Sequence, residues 1–250
     1  MASPSSLPKC EFADDCDGQV ILGRLGQVLD PELDEPILQL GFVRSIHVRG
    51  GHAVIALQLP TSWCAVNFAY LMAEDIRVAL VAIDGIDRVT VLLGDHCAAE
   101  QIEAAVNEGK TFAEAFPGEG SGGLAALRRV FLRKGFLGRQ ERLLRDLRAA
   151  GIPPASICAL RVSDMSPESV PAETLLRYLE RRAELALDCS PTAPLIVDLD
   201  GNGLSAERLD AHYRDARTVR VAMEANGSFC RALLATRCVD ELAGGNHVST

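Results

Sequence analysis

The chain has 250 residues, of which 48% are hydrophobic and 24% charged, with a formal net charge of −9. That length suffices to bury the core of one large domain or two small ones, and the negative balance excludes nonspecific nucleic-acid binding by the chain as a whole. No apolar run approaches the roughly 18 residues that span a bilayer, and the opening MASPSSLPKCEFADDC lacks a basic segment followed by an apolar one, so no membrane association is expected and a cytoplasmic location is.

The acidity is uneven. Residues 1–118 carry 7 Lys/Arg against 17 Asp/Glu, whereas residues 119–250 carry 18 against 17. In a reducing compartment the cysteines (Cys10, Cys16, Cys64, Cys97, Cys158, Cys189, Cys230 and Cys238) are expected as thiols or metal ligands. None forms a close CxxC pair, which excludes a zinc ribbon and a CxxC redox site.

Residues 1–18 read as a polar tail. Residues 19–29 read as a short helix ending at Asp30-Pro31. Residues 42–49 and 52–59 read as two strands around Gly50-Gly51, a pair suited to a tight hairpin turn. Ala53, Ile55, Leu57 and Leu59 alternate onto the core face of the second strand. Residues 65–83 follow as a helix whose buried stripe is Ala69, Met72, Ile76, Leu80 and Ile83. A third strand over 86–93 points Val89, Val91 and Leu93 inward, and a helix covers 98–116. The predicted class is α/β, a small mixed three-stranded sheet with packed helices over 19–116. The helix between the last two strands implies that they run parallel.

PGEGSGG, residues 117–123, reads as a linker. A second small α/β domain is predicted over 124–250. It has helices at 124–151, 173–187, 206–214 and 228–242, and strands at 156–162, 194–199 and 218–224. The first of these helices holds eight Arg/Lys and two Asp/Glu between residues 124 and 150. With only Phe131 and Phe136 as aromatics, it reads as a solvated or docking surface and not as a nucleic-acid one.

Cys64 follows a strand and a Pro-Thr-Ser-Trp turn and opens a helix. A thiolate near a helix N-terminus is stabilised by the dipole and by unpaired backbone N–H groups. The residue type at that place suits a metal ligand, a sulfur carrier or a nucleophile, and equally a small packing residue.

Two motifs narrow the choice. Residues 30–43 read DPELDEPILQLGFV and residues 60–65 read PTSWCA. Asp30-Pro31-Glu32, Leu40-Gly41-Phe42, and Thr61 with Cys64 occur here in the order DPE, LG(L/F), T-x-x-C. This set resembles the metal–sulfur cluster biosynthesis family (SufT/PaaD-like, with a MIP18-type domain) over about residues 19–116. Two departures stand out. Trp63-Cys64-Ala65 replaces the frequent Gly-Cys-Pro, and Asp95-His96-Cys97 replaces an aromatic, proline-rich segment.

The resemblance implies an accessory, non-catalytic protein that helps assemble or insert iron or an iron–sulfur cluster, held transiently, through Cys64. It implies other cluster-assembly proteins and a client metalloprotein as partners. Residues 124–250 carry no motif, but resemble an extension found beside such domains in proteins that accompany soluble di-iron monooxygenases, which implies an oxygenase subunit as client. Glu32, His96 and Cys97 are candidate additional ligands, because the segment at 95–97 and Cys64 lie at one end of the two parallel strands. Asp30, Pro31 and Thr61 would shape the facing loops. The alternatives are a metal-free adaptor or chaperone for client subunits, and a thiol enzyme with His96, His47 or His52 as base.

Two further resemblances fail on their residues. DLDGNGLSAERL, residues 198–209, has Leu209 where a calcium loop needs Glu. Gly109-Lys110-Thr111 has Ala104 where a phosphate loop needs Gly, so no nucleotide is expected.

Overall fold

A computed structural model describes residues 7–13, 17–118, 123–166 and 169–244. They form two compact units, Met1–Leu124 with Ala225–Thr250, and Ala125–Glu224. The linker expected at 117–123 falls largely outside the described residues, because 119–122 are not among them. The same holds for 1–6 and 14–16 of the tail, Cys16 included.

The first unit is mixed α/β. Its elements are β1 (Lys9–Phe12), α1 (Gly18–Leu25), β2 (Leu29–Asp30), β3 (Glu35–Pro36), α2 (Ile37–Leu40), β4 (Val43–Arg49), β5 (His52–Leu57), α3 (Val66–Val81), β6 (Arg88–Leu92), α4 (Ala99–Glu108) and α5 (Phe112–Ala115). The sheet order is β1-β4-β5-β6, with β4 and β5 antiparallel and both outer pairings parallel. The sheet therefore has four strands and not the predicted three. The extra one lies in the presumed tail, where Lys9–Phe12 pairs with Ser45–Val48. A four-residue edge strand of mostly exposed side chains leaves no apolar alternation to read.

The central elements follow from their patterns. Gly50 and Gly51 both take positive φ (56° and 72°), which two-residue hairpin turns require. Ala53, Ile55, Leu57, Leu59, Val89, Val91 and Leu93 are all buried, as are Ala69, Met72, Ile76 and Leu80 of α3, and they share one core. Gly41 ends α2 at φ 76°, the left-handed cap that Leu-Gly-Phe supplies, and turns the chain into β4. The single helix predicted over 98–116 is two helices. Gly109 caps α4 at φ 72°, and Thr111 starts α5 in a capping box with Glu114. Gly109-Lys110-Thr111 is thus a helix stop and start.

The second unit contains α6 (Gly123–Ala149) from Ala125 onward, α7 (Pro154–Ala159), a 3-10 turn (Val162–Asp164), α8 (Ala172–Glu184), and α9 (Ala206–Gly244) up to Glu224. This corrects the second α/β domain, because none of its three predicted strands forms among the described residues. Residues 156–162 begin inside α7, where Pro154 occupies the first helical turn with φ already set and no N–H to lose. Residues 218–224 continue α9, and the Thr218 hydroxyl donates to the Arg214 carbonyl one turn back (3.0 Å).

Residues 194–199 make single bridges only, Arg161 to Pro194 and Val197 to Gly203. They are apolar because they are buried, and side chains satisfy their carbonyls instead of a ladder. Gln140 donates to the Val197 carbonyl (2.9 Å), Tyr178 to that of Leu195 (2.7 Å), and Arg182 to those of Pro194 (2.8 Å) and Leu195 (3.0 Å). The basic face of α6 is paired within this unit, Arg142 with Glu224 (3.2 Å) and Arg148 with Asp210 (2.6 Å). Asp198 accepts the N–H groups of Asp200 (3.0 Å) and Asn202 (2.9 Å), an Asx turn in place of a calcium loop. No helix among the described residues is long and apolar enough to cross a membrane.

Candidate functional site

Three segments of the first unit meet near Cys64. They are the turn between β2 and β3, the β5–α3 connection and the β6–α4 connection. Parallel pairing of β5 and β6 brings the last two to the same end of the sheet.

Cys64 is half-buried and lies one residue before the N-cap of α3, Ala65, so it precedes the helix and does not open it. Its N–H donates to the Thr61 carbonyl (3.4 Å), and its Sγ lies 3.3 Å from Thr61 Oγ1. Spacing of three residues places hydroxyl and thiol on one side of a tight turn. Trp63 projects outward, 77% exposed.

His96 is buried, and both its ring nitrogens are engaged. Nε2 donates to the Cys64 carbonyl (2.8 Å), while Nδ1 accepts the Ala98 N–H (3.1 Å). The Nε2–H tautomer satisfies both contacts. The Cys97 N–H donates to the Ser62 carbonyl (2.7 Å), and its side chain is exposed. The segment at 95–97 thus stands beside Cys64 as expected, and in this arrangement His96 and the Cys97 backbone clamp the cysteine turn.

Asp30 is buried, 7% exposed, and its Oδ1 accepts the N–H groups of Glu32 (2.9 Å) and Leu33 (2.8 Å). That turn is why Asp-Pro-Glu has its form. Pro31 fixes φ at the corner, and Asp30 replaces the backbone partners that the corner lacks. Burial pushes the Asp30 carboxyl up to about 6, against the pull of the two N–H bonds, with Glu32 and Glu35 adding a smaller push.

A fourth segment reaches the site from the end of the chain. Asn226 Nδ2 lies 3.5 Å from Glu32 Oε1. Arg231 pairs with Glu35 (2.7 Å). Arg237 donates to the Leu59 carbonyl (2.7 Å) and pairs with Asp95. Leu234 is 7% exposed and belongs to the core of this unit. Cys230 is half-buried, and burial first, then the negative charge of Asp30, Cys64 and Glu32, pushes its thiol up to about 11. Sequence reasoning missed these residues. It read 228–242 as a helix but gave it to the second domain. The available signal was the spacing of Gly227, Cys230, Arg231 and Leu234, one stripe of a helix.

Among the described residues, no group of three or more His, Cys, Asp or Glu side chains is arranged to hold a metal ion. Of the candidate ligands, His96 meets Cys64 through the cysteine's carbonyl and Cys97 meets the same turn through its own backbone N–H, while Glu32 contacts Asn226. What the site presents is one half-buried thiol on a braced turn, beside a buried carboxyl and a second thiol.

Residues 18–93 match the family model described as iron-sulfur cluster assembly protein. No curated protein and no solved structure matches the chain.

Proposed function

We propose, from the match of residues 18–93 to the iron-sulfur cluster assembly protein family, that the chain is a maturation factor that receives iron or an iron–sulfur cluster at Cys64 and passes it to a client metalloprotein. The observation that carries the reading is the coincidence of that match with a cysteine held in a fixed turn. Thr61 touches its sulfur at 3.3 Å, and His96 holds its carbonyl at 2.8 Å. Iron and zinc are bound by thiolates. A lone thiol leaves the remaining coordination positions to sulfide, to other assembly proteins or to the client. Such incomplete ligation suits a cargo that must leave again. In this reading Glu32 and Cys97, on the two segments next to the cysteine turn, are the residues that would complete a transient sphere. Asp30 and Pro31 set the turn that carries Glu32, and Thr61 sets the thiol.

The client of this proposal is a subunit of a soluble di-iron monooxygenase. The test is maturation of an apo-client with added iron and sulfide, with and without this protein. The protein speeds maturation, and Cys64→Ser abolishes the gain. Equal maturation without it, or with the variant, contradicts the proposal.

A second reading is a metal-free adaptor that binds client subunits. It draws on the lack of a three-ligand group among the described residues. It predicts unchanged client binding and unchanged maturation with Cys64→Ser.

A further inference from the structure

We propose that residues 226–237 of α9 are a strap over the Cys64 site, held down by charge, whose lifting opens access to the half-buried thiol. The proposal takes Cys64 as the working thiol of the preceding section, but its argument and its test concern only access to that sulfur.

The strap touches each of the segments that build the site. At one end Asn226 meets Glu32 at 3.5 Å, on the turn that Asp30 organises, and Arg231 meets Glu35 at 2.7 Å, at the start of β3. Gly227 is pressed so close that a Cβ there would lie 3.3 Å from Glu35 Oε1. At the other end Arg237 bridges the close of β5 and the loop after β6, through the Leu59 carbonyl (2.7 Å) and Asp95. Between these anchors Leu234 enters the core, and Cys230 packs against the same core as Cys64. The twelve residues from Asn226 to Arg237 span about 16 Å of helix, from the Glu32–Glu35 anchor to the Leu59–Asp95 anchor.

The fastening is charged and the ground beneath it acidic. Residues 1–118 carry 17 Asp/Glu against 7 Lys/Arg. Glu32, Glu35 and Asp95 each face α9, where Asn226 meets the first and Arg231 and Arg237 pair with the other two. The Arg231–Glu35 and Arg237–Asp95 pairs keep partial solvent access, with side chains 40% and 25%, and 19% and 63%, exposed. Pairs of that kind contribute modestly and weaken with salt. A segment fastened so can detach at a fraction of the cost of global unfolding.

The test is the rate at which iodoacetamide, a neutral reagent, alkylates Cys64 in the full chain. It is read by mass spectrometry of the Cys64 peptide against exposed Cys10 as internal reference. Arg231→Glu with Arg237→Glu is expected to raise the rate about five-fold, equivalent to about 1 kcal/mol. Adding Glu35→Arg and Asp95→Arg to that variant restores the slow rate. Raising salt from about 0.1 M to about 1 M, which shortens the screening length from ~10 Å to ~3 Å, speeds labelling of the wild type. Rates unchanged by both reversal and salt overturn the proposal. So does a fourfold variant that labels as fast as the double reversal, since the defect would then lie in folding and not in charge. The salt series needs no variant and decides the matter even where a reversal misfolds. Labelling uses no cargo, so a strap that does not move leaves the maturation reading intact, and a failed maturation assay leaves the strap result intact.

Discussion

His96 Nε2 stands 2.8 Å from the carbonyl oxygen of Cys64, across 32 residues of sequence. The histidine thereby ties the β6–α4 connection to the cysteine turn, while its other nitrogen takes the Ala98 N–H. His96→Ala leaves both backbone groups without their partners in a partly buried place. The expected cost is about 2 kcal/mol, measured by urea unfolding with unchanged slope. A variant as stable as wild type would remove the clamp from the account.

Thr61 Oγ1 lies 3.3 Å from Cys64 Sγ. Thr61→Val keeps the shape and deletes that contact. Stability is expected to stay within about 1 kcal/mol of wild type, while the iron and sulfide retained after anaerobic loading fall. Thr61→Ser keeps the hydroxyl and keeps the loading. If valine and serine load alike, the hydroxyl has no part in holding cargo.

Asp30 gives a pH signature. Its carboxyl is raised from 3.8 to about 6 in the fold, chiefly by burial. A raised acid binds its proton more tightly when folded than when unfolded. Its stabilising effect is therefore complete below pH 3.8 and is lost as pH rises through about 6. Asp30→Asn carries no charge and can still accept both turn N–H groups. The variant should match wild type at low pH and exceed it above pH 6 by up to about 3 kcal/mol. Unfolding curves taken from pH 4 to pH 8 measure the difference, and a gap that does not change with pH contradicts the assignment.

Gly51 sits at φ 72°, and an added Cβ would lie 2.7 Å from Asp87 Oδ2 and 3.1 Å from the Gly85 carbonyl. Gly51→Ala is expected to cost about 1–2 kcal/mol for the left-handed backbone alone. Gly50, also at positive φ, has open space around its Cβ position, so Gly50→Ala pays only the backbone part and should be the milder of the two. Thermal unfolding of both variants checks the order.

The hairpin, α3 and β6 were legible because each has a period and a punctuating residue: alternation around Gly50-Gly51, and the three-and-four spacing of Ala69, Met72, Ile76 and Leu80. The strand β1 was not, since Lys9–Phe12 takes its place from pairing with β4 and not from any pattern of its own. Leu195, Ile196 and Val197 misled because burial selects apolar residues whether or not a strand forms. Their carbonyls are served by Tyr178, Arg182 and Gln140, which lie far off in sequence. At the site, Cys64, Thr61 and the Asp30 turn could be named from local motifs. Cys230, Arg231 and Arg237 could not, because only the tertiary fold returns a segment beyond residue 225 to the first unit.

The most direct test of the central claim is anaerobic loading with ferrous iron and sulfide, followed by gel filtration, metal and sulfide analysis and a visible spectrum. Wild type and Cys64→Ser are compared. The account predicts iron and a sulfur-to-iron charge-transfer band on the wild type, and neither on the variant. Equal iron on both proteins, or none on either under conditions where a client is matured, would contradict Cys64 as the point of cargo contact.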